Sequence, residues 1–184
     1  MRVTGGIARG KKIKTKKGPS TRPLLSRVRK SLFDVLGDAI EEKKFLDLYA
    51  GSGAVGIEAL SRGASEATFV EIDVECVRII RENLFHCGFL SKAKIYQKDV
   101  LQTLLFLLER ENFPFIFIGP PYFKDLQNKT LDVIQELNPY QAQIIVQHSP
   151  QEKINLKRQR FEPITQKKYG DTYLSFLFKK NKSE

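Results

Sequence analysis

Five short apolar runs alternate with segments of helical periodicity, and this alternation constrains the fold more than any other feature of the chain. The runs are FLDLY, ATFVEI, AKIYQ, FIFI and QIIVQ, and the helical segments cover residues 54–62, 74–87, 100–110 and 125–136. Strands that alternate with helices form βαβ units, with a mainly parallel sheet and right-handed crossovers. The run FIFI has no polar alternation, which predicts a central strand covered on both faces.

The two ends of the chain add a helix and a hairpin to this α/β core. In SRVRKSLFDVLG the apolar residues share one helical face, Ser26 is a plausible N-cap and Gly37 lies past the end. The tail FEPITQKKYGDTYLSFLFKK holds two strand-like runs around a YGDT turn signal. We therefore predict an antiparallel hairpin that closes the sheet.

Positive charge is concentrated at the amino terminus. Residues 1–30 hold eleven of the 31 Lys and Arg residues and no Asp or Glu, although the whole chain nets only +10. A basic leader on a near-neutral body suggests a polyanionic partner, although a solvated tail that aids solubility has the same composition. We predict a leader over residues 1–25 and one domain over 26–184. Apart from a strand near residues 2–7, the Gly, Pro and Lys content predicts that the leader is mobile until a partner orders it.

Composition also excludes several classes of protein. Two cysteines without a CxxC pair and two distant histidines argue against a multi-ligand metal site, so we predict none. No apolar stretch is long enough for a signal peptide or a membrane span. We expect a cytoplasmic protein with reduced thiols that does not bind membranes and is a monomer.

The segment FLDLYAGSGAVGIEAL is the strongest ligand-binding signal. Gly51, Gly53 and Gly56 match G-x-G-x-x-G between a strand and a helix, where glycines allow a tight turn and close approach of a ligand. Glu71 follows Gly51 by twenty residues, at the end of the next strand, where a carboxylate can accept ribose hydroxyl groups. These features fit a nicotinamide dinucleotide as well as S-adenosylmethionine.

Three further side chains are candidates for the same ligand. Asp47 lies inside the strand, and a buried carboxylate needs a partner, either a loop N–H or a cationic ligand group. S-adenosylmethionine offers an amino group and a sulfonium, whereas a dinucleotide brings phosphates, so Asp47 favours the former. Asp99 follows the third strand, where it would either accept from an adenine amino group or cap a helix. Tyr49 adjoins the loop, although an aromatic residue there is often part of the core.

Taken together, these residues resemble the class I methyltransferases, and more narrowly the RsmD-like 16S rRNA (guanine-N2) methyltransferases. The segments RVTGGIARGKKI, TRPLLSRVRKSLFDVL, FLDLYAGSGAVGIEALSRGA, FVEID and KYGDTYLSF carry the resemblance over nearly the whole chain. It implies a Rossmann-like fold with a mainly parallel seven-stranded sheet, a C-terminal antiparallel hairpin and helices on both faces. It also implies the cofactor S-adenosylmethionine, held by residues that include Asp47, Gly51, Gly53, Glu71 and Asp99.

The resemblance further implies that residues 119–122 hold the target guanine of small-subunit ribosomal RNA. The sequence there is Gly119, Pro120, Pro121 and Tyr122, and the family has an acid or amide where this chain has Gly119. Hydrogen-bond acceptors free the lone pair of an exocyclic amine, and an aromatic ring stacks on the flipped base. With glycine, one side-chain acceptor is missing and the main-chain carbonyls of Gly119 and Pro120 remain.

The basic leader would then bind RNA phosphates, and its candidate residues are Arg9, Lys11, Lys12, Arg22 and Arg27. Three other functions stay open at this point. The chain would bind RNA without catalysis if Gly119 disables it, it would methylate adenine amines in DNA through a similar loop, or, more remotely, it would be a nicotinamide oxidoreductase.

Overall fold

The computed structural model describes residues 1–16, 24–137, 141–156 and 161–179. The five helices in these ranges are α1 (Ser26–Leu36), α2 (Ala54–Ser61), α3 (Val74–Cys87), α4 (Val100–Arg110) and α5 (Leu126–Leu137). The seven strands are β1 (Lys44–Leu48), β2 (Glu66–Glu71), β3 (Ala93–Gln97), β4 (Phe115–Ile118), β5 (Ala142–His148), β6 (Phe161–Tyr169) and β7 (Thr172–Lys179). Short 3-10 helices cover Gly37–Ile40 and Leu90–Lys92.

All seven strands form one sheet in the order β3-β2-β1-β4-β5-β7-β6. The strands β1 to β5 pair in parallel, and β7 pairs antiparallel with both β5 and β6. The strand order reverses direction between β1 and β4, and ligands of open α/β sheets bind at such a point, beyond the carboxyl ends of the strands. This confirms the predicted mainly parallel seven-stranded sheet with its closing hairpin.

Helices cover both faces of the sheet. Alternate residues of the parallel strands enter opposite hydrophobic clusters, as Phe45, Phe69 and Phe117 join one and Leu46, Val70 and Ile116 join the other. The first cluster also holds the buried residues of α1 to α3, and the second holds those of α4 and α5. A strand buried on both faces reads as a continuous apolar run, which explains the composition of FIFI.

Local signals set the ends of the helices. Asp73 caps α3 because its carboxylate accepts from the backbone N–H groups of Glu75 and Cys76, and Gly88 ends it in the left-handed region. Gly37 follows α1 with a φ of 54°. The predicted N-cap of α1 is wrong, because Ser26 is the first helical residue and Leu25 precedes it without a side-chain cap.

The described part of the leader, residues 1–16, packs on the body of the domain. Val3, Ala8 and Ile13 are each 2% exposed and belong to the same cluster as α1 to α3. The predicted strand near residues 2–7 is reduced to a single antiparallel bridge between Arg2 and Lys12. The prediction of mobility is therefore wrong for residues 9–16, and residues 17–20 lie outside the described chain.

Polar contacts fix the path of this segment along α3. The Lys11 ammonium donates to the carbonyls of His86 and Cys87 at the end of α3, and the Lys14 ammonium pairs with Glu82 at 2.9 Å. Lys16 then contacts Asp73 at 2.6 Å, at the start of the helix. Residues 11–16 thus run antiparallel to α3, toward the edge of the sheet where the parallel strands end.

Candidate active site

The glycine loop joins β1 to α2 and adopts backbone angles that favour glycine. Gly51 has a φ of 56° and Gly53 a φ of 73°. A β-carbon at Gly56 would lie 2.4 Å from the Phe69 ring, so this glycine allows α2 to pack closely on β2. The three positions therefore have the roles predicted from the motif: two permit the turn and one permits the packing.

Asp47 is fully buried below this loop. Its Oδ2 accepts from the Gly56 N–H at 2.9 Å, which ties β1 to the first turn of α2. Burial raises the pKa of Asp47 to about 8, with a further contribution from the negative charge of Glu71, although the hydrogen bond from Gly56 opposes this. The geometry shows the loop-binding role of Asp47, and a cationic ligand group nearby would favour its charged form.

Glu71 ends β2 beside the loop and is 9% exposed. Its Oε2 accepts from the Gly51 N–H at 2.7 Å and its Oε1 from the Asp73 N–H at 2.9 Å. Each carboxylate oxygen has a second lone pair, so the group retains acceptor capacity for a ligand hydroxyl. Glu71 thus connects the glycine loop to α3 and lies where the motif places a ribose acceptor.

The other two candidate cofactor residues are tied to helices. Asp99 caps α4, since its Oδ1 accepts from the Gln102 N–H at 3.1 Å. The hydroxyl of Tyr49 lies 2.9 Å from Thr130 Oγ1 on α5. Burial raises the pKa of Tyr49, despite the hydrogen bond with Thr130, and the charge of Asp99 adds to the rise. Both residues follow carboxyl ends of parallel strands, on the same edge as Glu71.

The Gly-Pro-Pro-Tyr loop begins next to the glycine loop. Ile118 pairs with Leu48 across β4 and β1, and the Gly119 N–H donates to the Leu48 carbonyl at 3.2 Å. Pro120 is buried and Pro121 is exposed. The structure therefore brings together the two motifs, which are more than sixty residues apart in the sequence, at the point where the strand order reverses.

Tyr122 is half-buried and held at its hydroxyl. Tyr122 Oη lies 2.9 Å from Thr172 Oγ1 on β7 and accepts from Gln147 Nε2 on β5 at 3.1 Å. Its ring meets the neighbouring Phe123 edge-to-face, with the ring centroids 6.2 Å apart, and Phe123 is 67% exposed. Gln147 belongs to this network, and the sequence alone did not identify it.

Most of the basic candidate residues lie on the surface. Arg9, Lys11, Lys12 and Arg27 are exposed, and Arg22 falls outside the described residues. Lys11 binds the end of α3, as described above, so part of its donor capacity is used within the protein. Within the described ranges, Arg9 and Lys12 form no ion pair, which leaves them available to a polyanion.

The edge of the sheet fits a ligand that carries positive charge and a ribose. A β-carbon at Gly51 would meet no heavy atom within 4 Å, so the loop faces open space beside Glu71. The nearby side-chain acceptors are the carboxylates of Asp47, Glu71 and Asp99, which suit an amino group, a sulfonium or hydroxyl groups better than phosphates. Across the described ranges we find no cluster of three or more side chains able to hold a metal ion, and no helix that could cross a membrane.

Comparisons with known proteins agree with this geometry. Ribosomal RNA small subunit methyltransferase D of Buchnera aphidicola subsp. Acyrthosiphon pisum is 34% identical over 137 residues, which are 72% of this chain and 69% of the relative. The solved structure of a hypothetical protein from Thermus thermophilus is 32% identical, with a TM-score of 0.79 over 96% of this chain and 98% of that one.

A third similar structure is an RNA methyltransferase from Salinibacter ruber in complex with S-adenosyl-L-homocysteine. It is 14% identical, with a TM-score of 0.69 over 89% of this chain and 96% of that one, and it shows a shared fold alone. The family model described as Conserved hypothetical protein 95 matches residues 1–178. The chain therefore belongs to that family, and its resemblance to RsmD-like methyltransferases is confirmed.

Proposed function

We propose that this protein methylates the exocyclic N2 amine of a guanine in small-subunit ribosomal RNA, with S-adenosylmethionine as methyl donor. The observation that carries the proposal is the contact between the two loops, where the Gly119 N–H donates to the Leu48 carbonyl. This contact holds an amine-binding loop beside a loop that fits the cofactor. The name of the Buchnera relative supports the same substrate.

Five residues would hold the cofactor. Glu71 would accept the ribose hydroxyls, Asp99 would accept from the adenine amino group, and Asp47 would keep the glycine loop in place below the positively charged end. Gly51 and Gly53 would let the backbone approach the ligand. Tyr49, fixed to α5 through Thr130, would border the same space.

Catalysis in this site would depend on alignment and on the amine's lone pair. The bound cofactor supplies an activated methyl group on a sulfonium. The lone pair of an exocyclic amine is delocalised into the base, and acceptors on its protons localise that lone pair on nitrogen. The carbonyls of Gly119 and Pro120 are free to accept, since proline has no N–H and stiffens the loop. Tyr122 would stack on the base after it leaves the RNA helix.

Methyl transfer to defined RNA tests the proposal. Labelled S-adenosylmethionine with unmodified small ribosomal subunits should give a labelled guanine in their RNA, carrying the methyl group on N2. The same label with naked ribosomal RNA and with DNA distinguishes the acceptors. Labelling of DNA adenine in preference to RNA would replace the proposal with a DNA methyltransferase, and RNA binding without transfer to any acceptor would indicate a binding protein. Action on ribosomal RNA would fit a cytoplasmic protein.

The exposed basic residues of the leader should determine the salt dependence of RNA binding. Replacing both Arg9 and Lys12 with alanine removes two charges without disturbing the buried residues of the leader. We expect weaker RNA binding, and a salt dependence that flattens by about 0.7–0.9 log units for each lost phosphate contact. Titrations of RNA binding over a range of salt concentrations measure both effects.

A matched control is the double replacement of Lys43 and Lys92, which are exposed and precede β1 and β3 at the opposite edge of the sheet. This control should keep the parent slope. An unchanged slope in the Arg9 and Lys12 variant would show that the leader is a solvated segment rather than an RNA-binding one.

A further inference from the structure

The side-chain acceptor that position 119 lacks is supplied by the neighbouring strand. A β-carbon at Gly119 would lie 3.5 Å from Gln147 Oε1. Gln147 reaches this point because β5 pairs with β4, with Val146 opposite Ile118. The amide of Gln147 thus lies where a longer side chain at position 119 would extend.

The orientation of the Gln147 amide is set by its partners. Nε2 donates to Tyr122 Oη at 3.1 Å, and Tyr122 Oη also contacts Thr172 Oγ1 at 2.9 Å. Oε1 receives no hydrogen bond from any described residue, although Gln147 as a whole is only 8% exposed. A nearly buried amide with one group bonded and the other open toward Gly119 is poised to accept from a ligand.

Packing explains why position 119 itself carries no side chain. The same β-carbon at Gly119 would lie 2.7 Å from Phe117 Cε1, on a ring that is 3% exposed. The backbone at Gly119 does not have a positive φ, so conformation does not require glycine there. The Phe117 ring and the Gln147 amide together occupy the space that an acid or amide at 119 would need.

We propose that Gln147 Oε1 accepts a hydrogen bond from the target amine and so replaces the missing acid or amide at position 119. This role rests on the proposed function, because an amine must reach the loop for Oε1 to bind it. The nitrogen lone pair forms the bond to the methyl carbon, the carbon–sulfur bond breaks with its electron pair going to sulfur, and one amine proton leaves to water. The neutral amide of Gln147 orients that nitrogen and does not take the proton.

Single-turnover methylation by Gln147 variants tests this assignment. Gln147→Met keeps an unbranched side chain and removes the acceptor, and it should lower the rate by about a hundredfold, as the loss of one positioned hydrogen-bonding group does. Cofactor and RNA affinities should stay near those of the parent protein. Gln147→Glu keeps an acceptor oxygen and should retain most of the rate, which a purely structural role for the amide would not predict.

The chain offers a matched control in Gln143→Met, on the same strand and the same face. Gln143 is opposite Phe115, at the far end of β4 from Gly119, and its replacement should leave the rate unchanged. Melting curves establish that each variant folds, and Gln147→Ala serves if the methionine variant does not. An unchanged rate in Gln147→Met, or an equal loss in Gln147→Glu, would overturn the role of Gln147 alone. A parent protein that transfers no methyl group to any acceptor would overturn the proposed function together with it.

Discussion

Replacing Glu58 with glutamine should lower the free energy of unfolding by about 3–5 kcal/mol, because the change leaves a buried positive charge without its partner. Glu58 and Arg29 are both 0% exposed, and their ion pair measures 3.0 Å from Arg29 Nε to Glu58 Oε2. The same carboxylate accepts from the N–H of Thr4 at 2.9 Å and from its hydroxyl at 2.6 Å, and from Arg62 Nε at 3.0 Å. Chemical denaturation at neutral pH measures the loss.

The effect of Glu58→Gln should depend on pH. Burial by itself would raise the pKa of Glu58, but the hydrogen bonds from Thr4 and Arg29 and the Arg29 charge lower it overall. A lowered pKa stabilises the folded state fully above the unfolded value of about 4.3, and this contribution disappears as the pH falls through the folded pKa. The difference between the parent and Glu58→Gln should therefore shrink in acid.

A surface carboxylate provides the control for this prediction. Asp34 pairs with Lys30 four residues earlier on α1, and both side chains are about half exposed or more. Asp34→Asn should change stability by no more than about 1 kcal/mol. If Glu58→Gln is as mild as Asp34→Asn, the network between the leader and α2 contributes little to stability.

The helices and strands were predictable because their signals are local. The segments 74–87 and 100–110 match α3 and α4, and AKIYQ and FIFI match β3 and β4. Asp73 and Gly88 mark the ends of α3 in the sequence itself. The burial of the leader was not predictable in this way, since Val3, Ala8 and Ile13 are separated by glycines and basic residues, and only α2 and α3 provide the surface that covers them.

The same distinction applies to the site. Gly51, Glu71 and Gly119 each follow a strand, and parallel strands end at one edge, so their proximity follows from the topology. Glu71 proved also to bind the loop itself, through the Gly51 N–H. Gln147 could not be found in advance, because its relation to Gly119 depends on the register between β4 and β5. A polar residue at the end of an apolar strand, as in QIIVQ, is the one signal that pointed to it.

Removal of the Tyr122 ring should lower single-turnover methylation by about ten- to a hundredfold, because base–aromatic stacking contributes roughly 1–3 kcal/mol. Tyr122→Ala also removes the hydroxyl that Gln147 Nε2 and Thr172 contact, so both the stacking surface and the orientation of the amide are lost. Rates at saturating cofactor, measured on unmodified small subunits, give the effect. Cofactor affinity should change little, since Glu71 and the glycine loop are unaltered.

Two further variants separate the ring of Tyr122 from its hydroxyl and from its neighbour. Tyr122→Phe keeps the stacking surface and removes only the hydrogen bonds, so its loss should be smaller than that of Tyr122→Ala and should reflect the freed Gln147 amide. Phe123→Ala removes the adjacent ring, which is more exposed, and should have the milder effect if Tyr122 carries the base. If Phe123→Ala causes the larger loss, the flipped base stacks on Phe123, and Tyr122 acts mainly by holding Gln147 in place.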